Sequence, residues 1–253
     1  MRNSDRYRRP QNAYQKVEAA ITPTRASAVV YYAIEIHSES LVDYLKEHQL
    51  RFFSYVLYVC KETVLKHPFL NDFILGGKRY AHTSMIVSTA MKKDIQTEGG
   101  LSQVKIALEA EDGPLDIQLK MDNLIKNVRS SKDTGFNALI DTLNLLPMFL
   151  YRFVLFIGSI LVGWGFLPKS VIHADPLHSS AVIANLGSVK GDAVFHHLYE
   201  WGTGSLFIAV GRLSEQGDVT IRFTIDERIS EGLQLFSALD TFKSLMEHPY
   251  DRS

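Results

Sequence analysis

Residues 219–249 decide the fold of this chain, and they read VTIRFTIDERISEGLQLFSALDTFKSLMEHP. The first part, Val219 to Ile225, alternates β-branched and polar residues, which is typical of a strand. The second part predicts an amphipathic helix. Its apolar residues follow one another at spacings of four, three and four: Leu235, Leu239, Phe242 and Met246. A strand therefore runs almost directly into a helix at this end of the sequence.

Strand and helix patterns alternate irregularly in the rest of the sequence. Strands are predicted over 26–37, 83–89, 104–110, 181–186 and 205–213, and helices after Ser38 or Ser40 and over 52–65 and 117–128. This order lacks a regular strand–helix–strand repeat and therefore indicates an α+β fold. Residues 1–24 are polar and basic and predict an N-terminal arm, which leaves one domain over 25–253.

The composition excludes several classes of protein. With Lys+Arg 27 against Asp+Glu 28, the formal net charge is −1, whereas a nucleic-acid-binding protein usually has a basic excess. The single cysteine, Cys60, excludes an internal disulfide and a multi-cysteine metal site. We therefore expect a folded cytoplasmic protein that binds no nucleic acid and no metal ion.

The segment 145–167 is unusually apolar, and Arg152 is its only charged residue. Its length would suffice to cross a bilayer. However, Pro147 near its start, together with Gly158, Gly163 and Gly165, weakens it as an isolated helix. We expect a helix that is buried in the core or in a subunit interface, or one that lies on a membrane surface. The last case makes the protein peripheral to the membrane.

The C-terminal stretch closely resembles the end of the 2-oxoacid dehydrogenase acyltransferase catalytic domain, whose relative is chloramphenicol acetyltransferase. In that family a strand ends in D-H-R-x-x-D-G and a helix follows, and Asp226, Arg228 and Gly232 stand at matching positions. Three more stretches follow the family's order and spacing: His67-Pro68 with Leu70-Asn71, Ala184 to Gly187, and Phe207 to Gly211. The resemblance covers the chain from about Ser27 onward and identifies a stand-alone, divergent member.

The resemblance implies a two-layer sandwich, with a mixed β-sheet backed by helices, that assembles as a homotrimer. It also implies active sites in channels between subunits, where a coenzyme A or other pantetheine thioester donates the acyl group and no cofactor is bound covalently. In such enzymes the motif histidine removes a proton from the acceptor, and a serine stabilises the oxyanion.

The sequence departs from this pattern at the catalytic positions. Glu227 replaces the motif histidine, Glu231 replaces the second acid, and Ala184 stands where the oxyanion serine is expected. A carboxylate is a much weaker base toward a thiol than an imidazole is, unless burial raises its pKa. Glu227 is therefore either a modified catalytic base or a structural ion that pairs with Arg228 or a neighbouring subunit. Candidates for the oxyanion donor are Asn185 and Ser188.

A second group of candidates lies in the segment FHHLYEWG, which spans 195–202. His196 or His197 could supply the missing base, with Glu200 orienting the ring. Alternatively, the aromatic residues pack a turn and the histidines bond to the backbone. A metal site would need a further ligand, such as His173, Asp175 or His178, and is disfavoured.

Three functions remain open at this point. The first is an acyltransferase with altered or lost activity, whose acceptor is apolar or close to a membrane because of the segment 145–167. The second is a non-catalytic trimeric scaffold that uses the same segment to bind a membrane or a partner. The third is a sensor that binds an acyl-CoA without turnover.

Overall fold

The computed structural model describes residues 5–92, 101–130 and 145–251. The strands are β1 Arg6–Arg8, β2 Val29–His37, β3 Asp72–Leu75, β4 Lys78–His82, β5 Met85–Lys92, β6 Leu101–Leu108, β7 Ala181–Asn185, β8 Leu206–Val210 and β9 Asp218–Asp226. The helices are α1 Ala13–Ile21, α2 Glu39–Glu47, α3 Phe52–Lys66, α4 Pro114–Ser130, α5 Met148–Trp164, α6 Lys169–Ala174 and α7 Gly232–Glu247.

The main sheet is mixed, and helices cover one of its faces. Its six strands lie in the order β2-β9-β8-β7-β5-β6. The two contacts that β7 makes, with β5 and with β8, are parallel, and the other pairs are antiparallel. Helices α3, α4 and α7 pack their apolar residues against this sheet. The predicted α+β two-layer sandwich is confirmed.

The predicted helices form where the sequence provides capping and stop signals. Ser38 caps α2 by accepting a hydrogen bond from the backbone N–H of Leu41 at 3.2 Å. Helix α3 ends before Pro68, which cannot continue a helix. The four spaced apolar residues of α7 are all buried, as predicted. Cys60 is buried in α3, and burial raises the pKa of its thiol to about 12.

The N-terminal residues form defined elements where they are described; residues 1–4 lie outside the described ranges. Strand β1 pairs with β4 and α1 follows it, whereas the sequence predicted only a polar arm. A second sheet, in the order β1-β4-β3, contains a β3–β4 hairpin that the sequence analysis missed. Its turn is Gly76-Gly77, where φ is +57° and +70°.

The apolar segment forms α5, and most of its side chains lie on the surface of the chain. Phe149, Phe153, Phe156 and Trp164 are between 59% and 70% exposed, and Val162 is the buried residue of the helix. A position in the core of the chain is therefore wrong for α5. Within 5–92, 101–130 and 145–251, no helix combines the length and the apolar character needed to span a membrane.

Candidate functional site

The residues of the D-H-R-like motif are held by a buried ion pair. Strand β9 ends at Asp226, and a short 3₁₀ turn over Glu227–Ile229 follows. The Arg228 guanidinium donates to both carboxylate oxygens of Asp226 at 2.7 and 2.6 Å, and the two residues are 5% and 0% exposed. Arg228 also donates to the backbone oxygen of Thr22 at 2.8 Å. This pair fixes the turn that carries residue 227.

Glu227 is half-buried at the end of the main sheet, and its backbone N–H donates to the Ala28 carbonyl at 2.9 Å. The Arg228 guanidinium bonds to the Asp226 carboxylate. It does not pair with Glu227, which the sequence analysis gave as one alternative. Burial raises the pKa of Glu18 in α1, and the nearby charges of Glu227 and Asp226 raise it further. Residue 227 therefore lies close to a second carboxylate, that of Glu18, and to the Asp226–Arg228 pair.

The other two motif positions lie at the start of α7. Glu231 is exposed and makes no side-chain capping hydrogen bond. Gly232 begins the helix, and a Cβ at that position would meet no atom within 4 Å. The last part of the motif therefore makes no close contacts of its own.

The two adjacent histidines lie in the loop before β8 and pack against aromatic rings. The His196 ring stacks on Phe207 at 4.0 Å with an interplanar angle of 7°, and its Nδ1 lies 2.8 Å from the His197 backbone oxygen. His197 is exposed and contacts Tyr199 edge-on. The backbone N–H groups of Arg25 and Ala26 donate to the two carboxylate oxygens of Glu200. Glu200 therefore holds the chain before β2 instead of orienting a histidine.

Asn185 and Ser188 lie at the opposite end of the main sheet, beside a pocket of about 270 Å³ that α3, α4 and β5 also line. The Asn185 side chain accepts from the Ser188 N–H at 3.2 Å, and the Ser188 hydroxyl donates to the Asn185 carbonyl at 2.7 Å. Within the described ranges, nothing accepts a hydrogen bond from the Asn185 amide group. That amide can therefore donate to a ligand in this pocket.

The strand register separates the two halves of the predicted site. Asn185 pairs through Val210 of β8 with Ile221 of β9, five residues before Asp226. At about 3.3 Å per residue, Ile221 and Asp226 lie roughly 16 Å apart along β9. Glu227 and Asn185 of one chain therefore lie too far apart to act on the same atom.

The structure shows a further polar cluster that the sequence analysis did not predict as a unit. His178 Nδ1 and Trp201 Nε1 lie 2.9 and 2.5 Å from Oδ2 of Asp175, and the Leu177 N–H donates to Oδ1 at 2.9 Å. Asp175 and His178 are 3% and 4% exposed. Burial opposes ionisation of Asp175, but these hydrogen bonds outweigh burial and lower the pKa of its carboxyl.

Two close backbone approaches hold this cluster together. Gly202 has a φ of +90°, and a Cβ there would lie 2.1 Å from the Leu177 oxygen, so no larger residue fits. The indole of Trp201 packs against Gly158 of α5, where a Cβ would lie 2.7 Å from its Cη2 atom. A sequence signal existed in the D-x-x-H spacing of 175–178 directly before β7, but Trp201 joins it only through the fold.

Comparison with solved structures settles the fold. A probable dihydrolipoamide acetyltransferase from Listeria monocytogenes 4b F2365 matches with a TM-score of 0.60 and 16% identity over 98% of this chain and 97% of that chain. A chloramphenicol acetyltransferase matches with a TM-score of 0.61 and 11% identity over 93% of this chain and 96% of that chain. The chain has the chloramphenicol acetyltransferase fold.

The cubic core of a pyruvate dehydrogenase multienzyme complex is also similar to this chain, which thus shares its fold with a large assembly. The TM-score is 0.58 and the identity 13%, over 95% of this chain and 91% of that chain. No protein-family model matches the sequence, and the comparison with curated proteins gives no match. The similarity therefore lies in the fold rather than in the sequence.

Proposed function

We propose that the protein is an acyltransferase that takes its acyl group from a coenzyme A thioester in a channel between the subunits of a homotrimer. The observation that carries the proposal is the buried Asp226–Arg228 pair, because it fixes the turn at position 227 although the histidine is absent. A protein that had lost the reaction would have little reason to keep this costly buried ion pair at an otherwise altered motif.

The strand register supports an assembly of several copies. Glu227 and Asn185 lie at opposite ends of the sheet within one chain. A site that uses both residues therefore needs Glu227 from one copy and Asn185 from the next. The cubic core of the pyruvate dehydrogenase multienzyme complex, which is similar in fold, supports an assembly of several copies.

The proposed reaction assigns one step to each residue. Glu227 takes the proton of the acceptor's hydroxyl or thiol, and the acceptor attacks the thioester carbonyl. The Asn185 amide donates to the oxyanion, and it is favoured over Ser188, whose hydroxyl already donates to a backbone carbonyl. When the C–S bond breaks, coenzyme A leaves and regains the proton. Because a carboxylate is a weak base toward these groups, we expect slow turnover.

Release of the coenzyme A thiol in the presence of acyl-CoAs tests the proposal. Thiol reagents suit this assay because the chain's single cysteine, Cys60, is buried and its pKa is about 12. Glu227→Gln keeps the shape of the side chain but removes the base, and we expect a loss of at least about 100-fold in rate. His197→Ala is the matched control, and its rate should stay within about twofold of wild type because this ring is exposed. Absence of turnover with every donor, or equal rates in all three proteins, would falsify the proposal.

The exposed face of α5 supports a second candidate function, which is docking on an anionic lipid surface. Its exposed apolar side chains form one stripe along the helix: Phe149, Phe153, Phe156 and Trp164. Two basic residues are exposed in this part of the chain, Arg152 on α5 itself and Lys169 at the start of α6. Apolar side chains flanked by cations are typical of helices that lie in the interface of an anionic membrane.

Vesicle flotation measures this docking directly. We expect the protein to float with vesicles that contain phosphatidylglycerol, and the triple variant Phe153→Ser, Phe156→Ser, Trp164→Ser to lose at least about 90% of this binding. The control replaces two exposed apolar residues of α7, Leu233→Ser and Phe236→Ser, and should float like wild type. Equal flotation of wild type and the triple variant would show that α5 does not contact lipid.

A further inference from the structure

A cavity of about 390 Å³ lies beside the Asp175–His178 cluster, and its described lining includes neither Glu227 nor Asn185. Strands of both sheets and the helices α5 and α6 surround it. Apolar side chains line part of its wall: Phe73, Ile86, Ala107, Val162 and Ile172. A volume of this size fits a small organic molecule.

His178 presents an unused hydrogen-bond acceptor to this cavity. Because the carboxylate of Asp175 is ionised and only accepts, the proton of the ring lies on Nδ1 of His178. In the neutral ring this arrangement leaves a lone pair on Nε2. That atom is buried, it has no hydrogen-bond partner in the described part of the chain, and the ring lines the cavity. A buried acceptor without a partner costs free energy, which a ligand that donates a hydrogen bond would recover.

The charges around the cavity favour an anion. Arg6 and Lys105 line it. Among the described lining residues, Asp5 supplies the carboxylate, and its Oδ2 lies 3.7 Å from Nε2 of His173. The Lys105 ammonium donates to the Ile172 carbonyl at 2.7 Å, which leaves two of its three N–H groups for a ligand. Burial lowers the pKa of Lys105 to about 8. An anion beside this ammonium would stabilise its charged form, and a metal cation would be repelled.

We propose that this cavity binds a small hydroxy carboxylic acid. Its carboxylate accepts hydrogen bonds from Lys105, its hydroxyl donates to Nε2 of His178, and its aliphatic chain packs against Phe73, Val162 and Ile172. Neither Glu227 nor Asn185 takes part, so the site stands or falls independently of the acyltransferase proposal.

Isothermal titration calorimetry on the full chain, with 2-hydroxyhexanoate as the probe, tests the site. We expect hexanoate, which lacks the hydroxyl, to bind about fivefold more weakly or worse. Lys105→Met and His178→Phe should each weaken the binding of 2-hydroxyhexanoate at least about tenfold. The matched control is His37→Phe, because His37 also contacts a carboxylate through Nδ1, that of Asp218 at 2.7 Å, but on the surface. This variant should bind like wild type.

Three results would overturn the proposal. They are no binding of 2-hydroxyhexanoate by wild type up to roughly 10 mM, equal affinities for the two acids, and unchanged affinity in Lys105→Met. If His178→Phe fails to fold, as circular dichroism would show, the ring nitrogen signals of wild-type protein decide instead. On addition of 2-hydroxyhexanoate the Nε2 signal of a histidine bonded through Nδ1 must shift, and an unchanged set of signals contradicts the site.

Discussion

The double variant Glu227→His, Ala184→Ser is expected to transfer acyl groups from acetyl-CoA at least about 100-fold faster than wild type. Histidine at 227 restores an imidazole base on a turn that the Asp226–Arg228 pair already holds in place. Serine at 184 adds a hydroxyl at the end of β7, where the resemblance expects the oxyanion serine, on the face of the sheet opposite to the Asn185 side chain. Each group contributes about 100-fold or more in enzymes that use it, and coenzyme A release measures the gain.

A histidine elsewhere in the motif provides the control for this gain. In Glu231→His, Ala184→Ser the new imidazole stands at an exposed position at the start of α7, and its rate should equal that of Ala184→Ser alone. If the Glu227→His variant is as slow as wild type, residue 227 does not face the acyl donor. The proposed location of the active site would then be wrong.

Removal of the buried guanidinium is expected to destabilise the fold strongly. Arg228→Met leaves the Asp226 carboxylate, which is 0% exposed, without its two charged hydrogen bonds. Loss of one partner of a buried ion pair typically lowers the free energy of unfolding by about 3–5 kcal/mol. Urea denaturation followed by circular dichroism measures this change as a lower midpoint.

An exposed ion pair provides the comparison for this prediction. Lys243 lies 3.7 Å from Glu247 on α7 and is 43% exposed, so Lys243→Met should change the free energy of unfolding by less than about 1 kcal/mol. The double variant Asp226→Asn, Arg228→Met should be more stable than Arg228→Met alone, because it removes the buried carboxylate that Arg228→Met leaves without its partner. Equal midpoints for Arg228→Met and Lys243→Met would contradict the role given to the buried pair.

Much of the fold could be predicted because the sequence carries strong local signals. The apolar spacing of α7, the Ser38 cap and the Pro68 stop act within a few residues, and the structure contains each of them. The β3–β4 hairpin was missed because its strands are only four and five residues long. Strand β1 was missed because three polar residues become a strand only when β4 lies beside them.

The candidate site could be predicted only in part, for a related reason. The motif residues 226–228 are adjacent in sequence, so their spacing revealed them. By contrast, Trp201 meets Asp175 and His178 across sequence separations of 26 and 23. The sequence therefore offers Asp175 and His178 only as additional metal ligands for a different histidine pair. The sequence also did not predict whether α5 is buried or exposed, because an apolar run has the same sequence whether a core or the solvent surrounds it.

A single indole joins α5 to the Asp175–His178 cluster. Trp201 rests on Gly158 of α5 with one edge and donates a hydrogen bond to the Asp175 carboxylate with the other. Because the ring is rigid, a shift of α5 by about an ångström would stretch the hydrogen bond from Trp201 to Asp175 and displace the His178 ring that bonds to the same carboxylate. Attachment of α5 to a lipid surface and occupancy of the cavity beside His178 would then be reciprocally coupled. Each would strengthen or weaken the other by the same factor.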